Sequence, residues 1–312
     1  MNINNTRKDT WLKCRRLYYW SYIHGGRGIV TGEPRIALHI GHGVHAFLEE
    51  WYRSGSYEKA VLSMQTDFAA QRETYNAIGD LGADLTDEEQ AAYRYAEAYV
   101  EKYPKEDFTV VAPEMEGNVP IGDGRHRFFF RLDMVVLYLN ELWMVEHKTA
   151  RSTGTNYYKG FMIDSQISGY VFGASRAMSQ PIKGAILNVI KKTTQELRKK
   201  ETREAWIART FEREYMPRTQ RDLDRFERTL VAVADEIEEA TTNTNDVSKG
   251  PEGSPEFFDT MFPMNTKACT MYGVCPVYDL CFYGESPGLL SAYKQREADY
   301  TEQEGAKSDE PE

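Results

Sequence analysis

No apolar stretch in the chain approaches the roughly 18 residues needed for a membrane-spanning helix, so a helical integral membrane protein is set aside. The first residues, Met1-Asn2-Ile3-Asn4-Asn5, are polar and do not read as a signal peptide. A cytoplasmic protein is expected, or one acting in the host cytoplasm if phage-encoded. Cysteine is scarce, with four in 312 residues, and without a secretion signal disulfides have little support. A surplus of positive charge is missing too. The formal net charge is -10 and the pI about 5.3, so the molecule as a whole is not an obvious polyanion binder. No internal repeat is evident, which sets aside solenoid architectures.

What is present fits a globular protein. Hydrophobic residues make up 41% and charged residues 28%, too apolar a balance for a disordered chain, and 312 residues suffice for a sizeable core. Charge is unevenly spread. Between Lys191 and Arg228 there are twelve Lys and Arg against eight Asp and Glu. The first helix adds Arg7, Lys8, Lys13, Arg15 and Arg16 against Asp9 alone. From Ala292 to Glu312 the sign reverses, with seven acids to three bases. Local basic faces suit nucleic acid, although a basic cluster is more often a solvated surface.

Hydrophobic periodicity predicts helices over Thr6–Ile23, about Ala37–Arg53, Tyr57–Tyr75 and Asp87–Tyr103. The last two are separated by a Gly79-Asp80-Leu81-Gly82 turn. On the second of these helices His42, His45 and Glu49 fall close along one face. The period then changes to two, giving strands over Phe108–Ala112, Arg127–Leu139 and Leu142–His147. A helix over Tyr157–Met178, a strand over Ala185–Ile190, an edge strand over Phe211–Tyr215 and a helix capped by Thr219 and reaching about Ala240 follow. An α/β fold results, with a central mixed sheet flanked by helices.

The densest chemistry lies in the hairpin from Phe128 to Ala150. A two-residue reversal at Leu139-Asn140 pairs Tyr138 with Glu141 and, in the same register, sets Asp133 opposite Glu146. Opposed carboxylates with Cβ atoms about 5 Å apart can share a divalent ion, Mg²⁺ or Mn²⁺. Lys148 points to the same face as Glu146, where it can orient a water and offset charge building on phosphorus. Asn140 is not followed by Gly, so the turn type, and with it the register, stays open. A lone Glu-x-Lys triplet is common on surface strands; the aligned aspartate gives this one its meaning. One helical turn apart, Gln166 and Tyr170 can bind a phosphate or the catalytic carboxylates, or simply pack a helix over the sheet. His45 can ligate a metal or serve as a packing histidine.

Together these residues resemble the PD-(D/E)XK nuclease superfamily, in its RecB-like and Cas4-like exonuclease branch, from the first helix to Cys281. The resemblance implies a restriction-endonuclease-like core. It makes His45, Asp133 and Glu146 metal ligands, Lys148 the motif lysine, and Gln166 and Tyr170 of QISGY the Gln-x-x-x-Tyr pair. One departure from the branch is Phe130, which stands where a Gly usually precedes the aspartate by three positions.

Cys14, Cys269, Cys275 and Cys281 form one early and three late positions. By spacing alone four thiolates can hold zinc or an iron-sulfur cluster. The resemblance implies a [4Fe-4S] cluster closing the fold, with zinc as the alternative; the surrounding Tyr272, Tyr278, Phe282 and Tyr283 could stack on nucleobases, though shielding the cluster is the preferred reading. The expected organisation is one nuclease domain over residues 1–290, with a helical insertion at about 55–103 and a closure by residue 14 and residues 263–284; a polar acidic tail over 291–312 is expected to be disordered. The expected activity is DNA exonucleolysis at single-stranded or duplex ends in recombination, repair or phage DNA processing, with recombination or replication proteins as partners and no membrane. A structure-selective endonuclease and a catalytically weak DNA-binding or assembly subunit are the alternatives.

Overall fold

The computed structural model describes residues 1–31, 39–77, 85–192, 201–247, 255–271 and 273–298. Two compact units form. One comprises Met1–Gly32, Asn118–Phe130 and Asp224–Glu312, the other Glu33–Gly117 and Arg131–Leu223.

The chain opens with a short strand, β1 (Asn2–Ile3), and a helix, α1 (Asn5–Lys13), whose N-cap Asn4 accepts a hydrogen bond from the Arg7 amide. One continuous helix to Ile23 was the expectation. Instead the helix breaks at Cys14, which adopts extended backbone (φ -166°, ψ 116°), and resumes as α2 (Arg15–Tyr18) and a π-helical turn over Tyr19–Ile23. The interruption turns the aromatic residues into a core. Trp11 meets Tyr18 edge-on at 5.2 Å and Phe262 at 6.2 Å. A strand β2 (Ile29–Thr31) follows.

In the other unit α3 (His39–Ser54), α4 (Tyr57–Ala77) and α5 (Thr86–Lys102) pack together around Phe47, Leu48, Met64 and Phe68, all fully buried. Each such side chain contributes about 1.5–3 kcal/mol of burial. Gly43 permits the close approach of α3 to α4, because a Cβ there would stand 2.3 Å from the Phe68 ring. The predicted Gly79–Gly82 turn lies outside the described residues.

The long strands β3 (Thr109–Ile121) and β4 (His126–Tyr138) lead to β5 (Glu141–Ala150). Leu139 (φ 50°) and Asn140 (φ 62°) are both left-handed, the signature of a type I′ hairpin, with Asn140 standing where Gly is more usual. Tyr138 therefore pairs with Glu141 and Met134 with Val145, the expected register. After β5 come α6 (Thr155–Met162) and α7 (Ser165–Met178), two helices where one was predicted. The chain breaks at Ile163–Asp164 because the Asp164 side chain caps α7, accepting from the amides of Gln166 and Ile167.

A buried strand, β6 (Ile182–Lys191), pairs parallel with β5. The helix α8 (Arg203–Thr210), not foreseen from sequence, precedes the edge strand β7 (Phe211–Pro217), antiparallel to β6. Residues 193–200, with part of the basic segment, lie outside the described residues. The sheet order β4-β5-β6-β7 is mixed, with flanking helices as expected.

The helix α9 (Gln220–Val247) outruns its predicted end near Ala240. Then follow α10 (Pro255–Met261), a 3-10 turn at Thr266–Cys269, α11 (Tyr278–Tyr283) and α12 (Pro287–Leu290). The tail begins with order: β8 (Tyr293–Gln295) pairs antiparallel with β2. Its remainder, 299–312, lies outside the described residues. Among the described residues no helix is long and apolar enough to cross a membrane.

Candidate active site

Strand alternation and the hairpin register bring Asp133 of β4 beside β5. Its Oδ2 accepts a hydrogen bond from the His147 amide at 2.6 Å, and its Oδ1 lies 3.6 Å from Nδ1 of His45 on α3. Burial alone would raise the Asp133 pKa. The His45 charge and hydrogen bond, with help from His147, outweigh it and hold the carboxyl well below the usual range. His45 responds in kind: burial lowers it, but Asp133 draws it above its ordinary value.

Glu146 behaves oppositely. It is buried, and burial followed by the nearby Asp133 charge pushes it up to about 7, with Lys148 opposing the shift. Its Oε1 accepts from Lys148 Nζ at 2.5 Å, whereas its buried Oε2 has no hydrogen-bond partner among the described residues. An orphaned buried carboxylate oxygen is costly. With an imidazole and a second carboxylate close by, it fits a hard divalent cation, which would relieve both the desolvation and the repulsion.

Lys148 extends the site to α7. Its ammonium reaches Gln166 Oε1 at 3.4 Å, and Gln166 Nε2 donates to the Tyr170 hydroxyl at 3.0 Å. Burial would lower the lysine, but Glu146 raises it, so it stays charged. The predicted residues His45, Asp133, Glu146, Lys148, Gln166 and Tyr170 thus fall together from α3 through the hairpin to α7, with Asp133 and Glu146 interacting through their charges. Glu49, one turn beyond His45 on the same helix face, is paired with Arg53.

Sequence reasoning missed the support behind this chain. His147 pairs with Asn188 on β6, and Asn188 with Arg213 on β7, so one cross-strand row links three strands. Asn188 is fully buried. Its Nδ2 lies 2.7 Å from His147 Nδ1 and donates to the Tyr99 hydroxyl at 3.0 Å. Arg213 binds Glu106 through two nitrogens at 2.6 and 2.8 Å, and reaches Tyr99 at 3.0 Å. Burial drives His147 down to about 3, so it is neutral. Only alternation within EHK hinted that His147 faces away from its neighbours; partners drawn from α5, β6 and β7 leave no local signature.

Two other clusters belong to the unit of Met1–Gly32, Asn118–Phe130 and Asp224–Glu312. His126, Asp235 and Glu238 offer ligand atoms within 4.8 Å of one another. Their charge is already answered. His126 Nδ1 lies 2.9 Å from the Met1 amino group, its Nε2 lies 2.9 Å from Asp235, and Arg125 pairs with Asp235 and sits 3.9 Å from Glu238.

Cys14, Cys269, Cys275 and Cys281 are free thiols in this same unit. Cys14 Sγ accepts from the Asn265 amide at 3.4 Å, and the Cys275 amide donates to the Cys269 carbonyl at 2.8 Å. Burial raises Cys281 to about 11, and the charges of Cys275 and Cys14 push the same way. No three of the sulfurs come within 4.8 Å of one another, so the close set that a single tetrahedral zinc demands is not formed. Tyr278 stacks on Phe282 at 5.8 Å, but Phe282 and Tyr283 are largely exposed, which corrects the expected shielding role for those two. Tyr272 lies outside the described residues. Phe130 is fully buried and stacks on Phe128, which makes it a core residue.

The sequence matches the profile of the PD-(D/E)XK nuclease superfamily over residues 3–282. No curated protein matches the chain. Among solved structures the chain is similar to SSO0001, with 14% identity over 72% of this chain and 84% of that one. The TM-score is 0.27, too low to inform the fold.

Proposed function

Because the chain belongs to the PD-(D/E)XK nuclease superfamily, we propose that it is a divalent-metal-dependent DNA exonuclease of the RecB-like and Cas4-like branch. It would act at single-stranded or duplex ends in recombination, repair or phage DNA processing, alongside recombination or replication proteins. The observation that carries this reading is the buried, unpartnered Oε2 of Glu146 beside Asp133, His45 and Lys148.

His45, Asp133 and Glu146 would hold Mg²⁺ or Mn²⁺, which supplies Lewis acidity toward the phosphodiester and lowers the pKa of an attacking water. The remaining work falls to side chains. The Lys148 ammonium, already charged, orients the water and answers the negative charge that grows on the phosphoryl oxygens. Gln166, braced by Tyr170, fixes the lysine so that little reorganisation is needed at the moment of attack. The backbone amide of His147 holds Asp133 in place as a ligand.

At the four cysteines we propose a [4Fe-4S] cluster. A cluster seats each thiolate on its own iron and so asks for wider sulfur spacing than zinc. Iron and sulfide analysis of anaerobically purified protein tests it; one zinc and no iron would overturn it.

Cleavage of end-labelled linear and circular single-stranded DNA with Mg²⁺ or Mn²⁺ tests the activity. Wild-type protein should degrade only the linear form, and Glu146→Ala and Lys148→Ala should be inactive. Undiminished hydrolysis by both variants would sink the site assignment, and cutting of the circle would replace the exonuclease by an endonuclease.

A further inference from the structure

The helix α6 has no buried residue, and the break that follows it leaves Met162 and Ile163 at 48% and 78% exposure. Single exposed apolar residues are ordinary, but the backbone on either side of this pair is anchored by one side chain. Arg218, itself buried, donates to the carbonyls of Phe161 at 2.8 Å and Asp164 at 3.2 Å and to Ser168 Oγ at 2.9 Å, so its guanidinium grips both sides of the break. Tyr158 is tied to Glu212. Tyr157 meets Phe161 edge-on at 5.0 Å. A rigid apolar step facing solvent serves no evident packing purpose.

Residues on both sides of the step interact with Lys148. At the start of α6, burial raises the Tyr157 hydroxyl and Lys148 pulls it the other way, so the lysine's field reaches that ring. Just past the break, Gln166 touches Lys148. Met162 stands about 7.5 Å along the helix axis from Tyr157, and Ile163 is three residues from Gln166. The step is thus joined to the lysine through Gln166, in the first turn of α7. Charge at the same edge favours a polyanion. Arg151 and Lys159 are exposed, and the Lys192 amide binds the Ala150 carbonyl at the end of β5. Burial and then the charge of Arg151 depress the Lys192 ammonium, as expected of two cations held together. The acids nearby are committed: Glu212 binds Lys191 and Tyr158, and Asp164 caps α7.

We propose that Met162 and Ile163 form a stacking shelf for an unpaired base of the bound single strand, next to the phosphate that is cut, with Arg151 and Lys192 taking neighbouring phosphates. This rests on the nuclease reading above. An apolar shelf accepts any base face, so the preference would be for single-stranded over paired nucleic acid, without sequence selectivity.

The test crosses the protein with the substrate. Full-length wild type and the double variant Met162→Ser, Ile163→Ser are each given single-stranded oligonucleotides, either intact or abasic at one position near the labelled end. Cleavage is followed with Mn²⁺, and binding by fluorescence anisotropy without it. For wild type, removing the base at the best position should raise KM and Kd about tenfold with kcat little changed. The variant should bind the intact strand as weakly as wild type binds the abasic one and lose the discrimination. Equal discrimination by both proteins overturns the shelf. So does a variant whose only change is in sedimentation, which would make the step a self-association face. Anisotropy discrimination without cleavage by wild type would sink the nuclease reading and leave the shelf standing; normal cleavage without discrimination would do the reverse.

Discussion

Among the described residues, two sets of one histidine and two carboxylates are built to opposite ends. In His126, Asp235 and Glu238 the ligand atoms are the closer together, yet each charge has an answer in Arg125, Met1 or the other members. In His45, Asp133 and Glu146 the atoms are less tightly gathered, but a buried carboxylate oxygen has no hydrogen-bond partner among the described residues. Closeness of potential ligands records only that opposite charges attract. Unanswered buried charge is the better mark of a candidate cation site, because binding a cation there would offset its cost.

The harshest way to break this contrast is to remove the unanswered group. Glu146→Ala should lower DNA cleavage by about 10²–10³-fold and abolish Mn²⁺ binding followed by electron paramagnetic resonance, whereas Asp235→Asn should change neither. Loss of Mn²⁺ binding in Asp235→Asn alone would invert the assignment of the two clusters.

Arg213→Met is expected to have the next largest effect. It strands Glu106 in a half-buried network and should lower unfolding stability by about 3 kcal/mol in denaturant titrations. Mn²⁺ affinity should fall about tenfold, since the row through Asn188 and His147 supports Asp133. A stability loss with unaltered affinity would confine that row to scaffolding.

The pH dependence sharpens the comparison through Glu146, whose folded pKa of about 7 exceeds the ordinary value near 4.5. A raised folded pKa contributes stability that is fully present below about pH 4.5 and is lost as pH rises through 7. Glu146→Gln has no such proton to lose. The metal-free variant should therefore melt higher than wild type at pH 8 and converge with it toward pH 4.5, and excess Mn²⁺ should erase the wild-type deficit. Parallel melting curves at both pH values would show that Glu146 carries no excess cost.

The smallest effect belongs to the answered cluster. Arg125 is more than half exposed, so Arg125→Ala should move stability by no more than about 1 kcal/mol in the same titrations, and less at high salt.

Much of the hairpin was legible because alternation has a strict period of two. A two-residue turn sets every later pairing once Tyr138 meets Glu141, and Asn140 supplied the left-handed conformation that a following Gly usually provides. Helix ends were harder. The break at Cys14 and the separation of α6 from α7 depend on backbone partners that periodicity does not encode. Missing α8 had a similar cause, since a helix of eight residues offers barely two turns of pattern.

By itself the sequence determined the identities and local spacing of the reactive groups: the carboxylates of β4 and β5, the lysine two residues on, and the glutamine and tyrosine one turn apart. Only tertiary structure decided their states. Whether Glu146 is burdened and Asp133 relieved depends on which dipoles and charges arrive from α3 and from the facing strand of the hairpin, and on how much water the packing removes. Those quantities act through space over a few ångströms between residues up to about a hundred positions apart, so no window of sequence contains them.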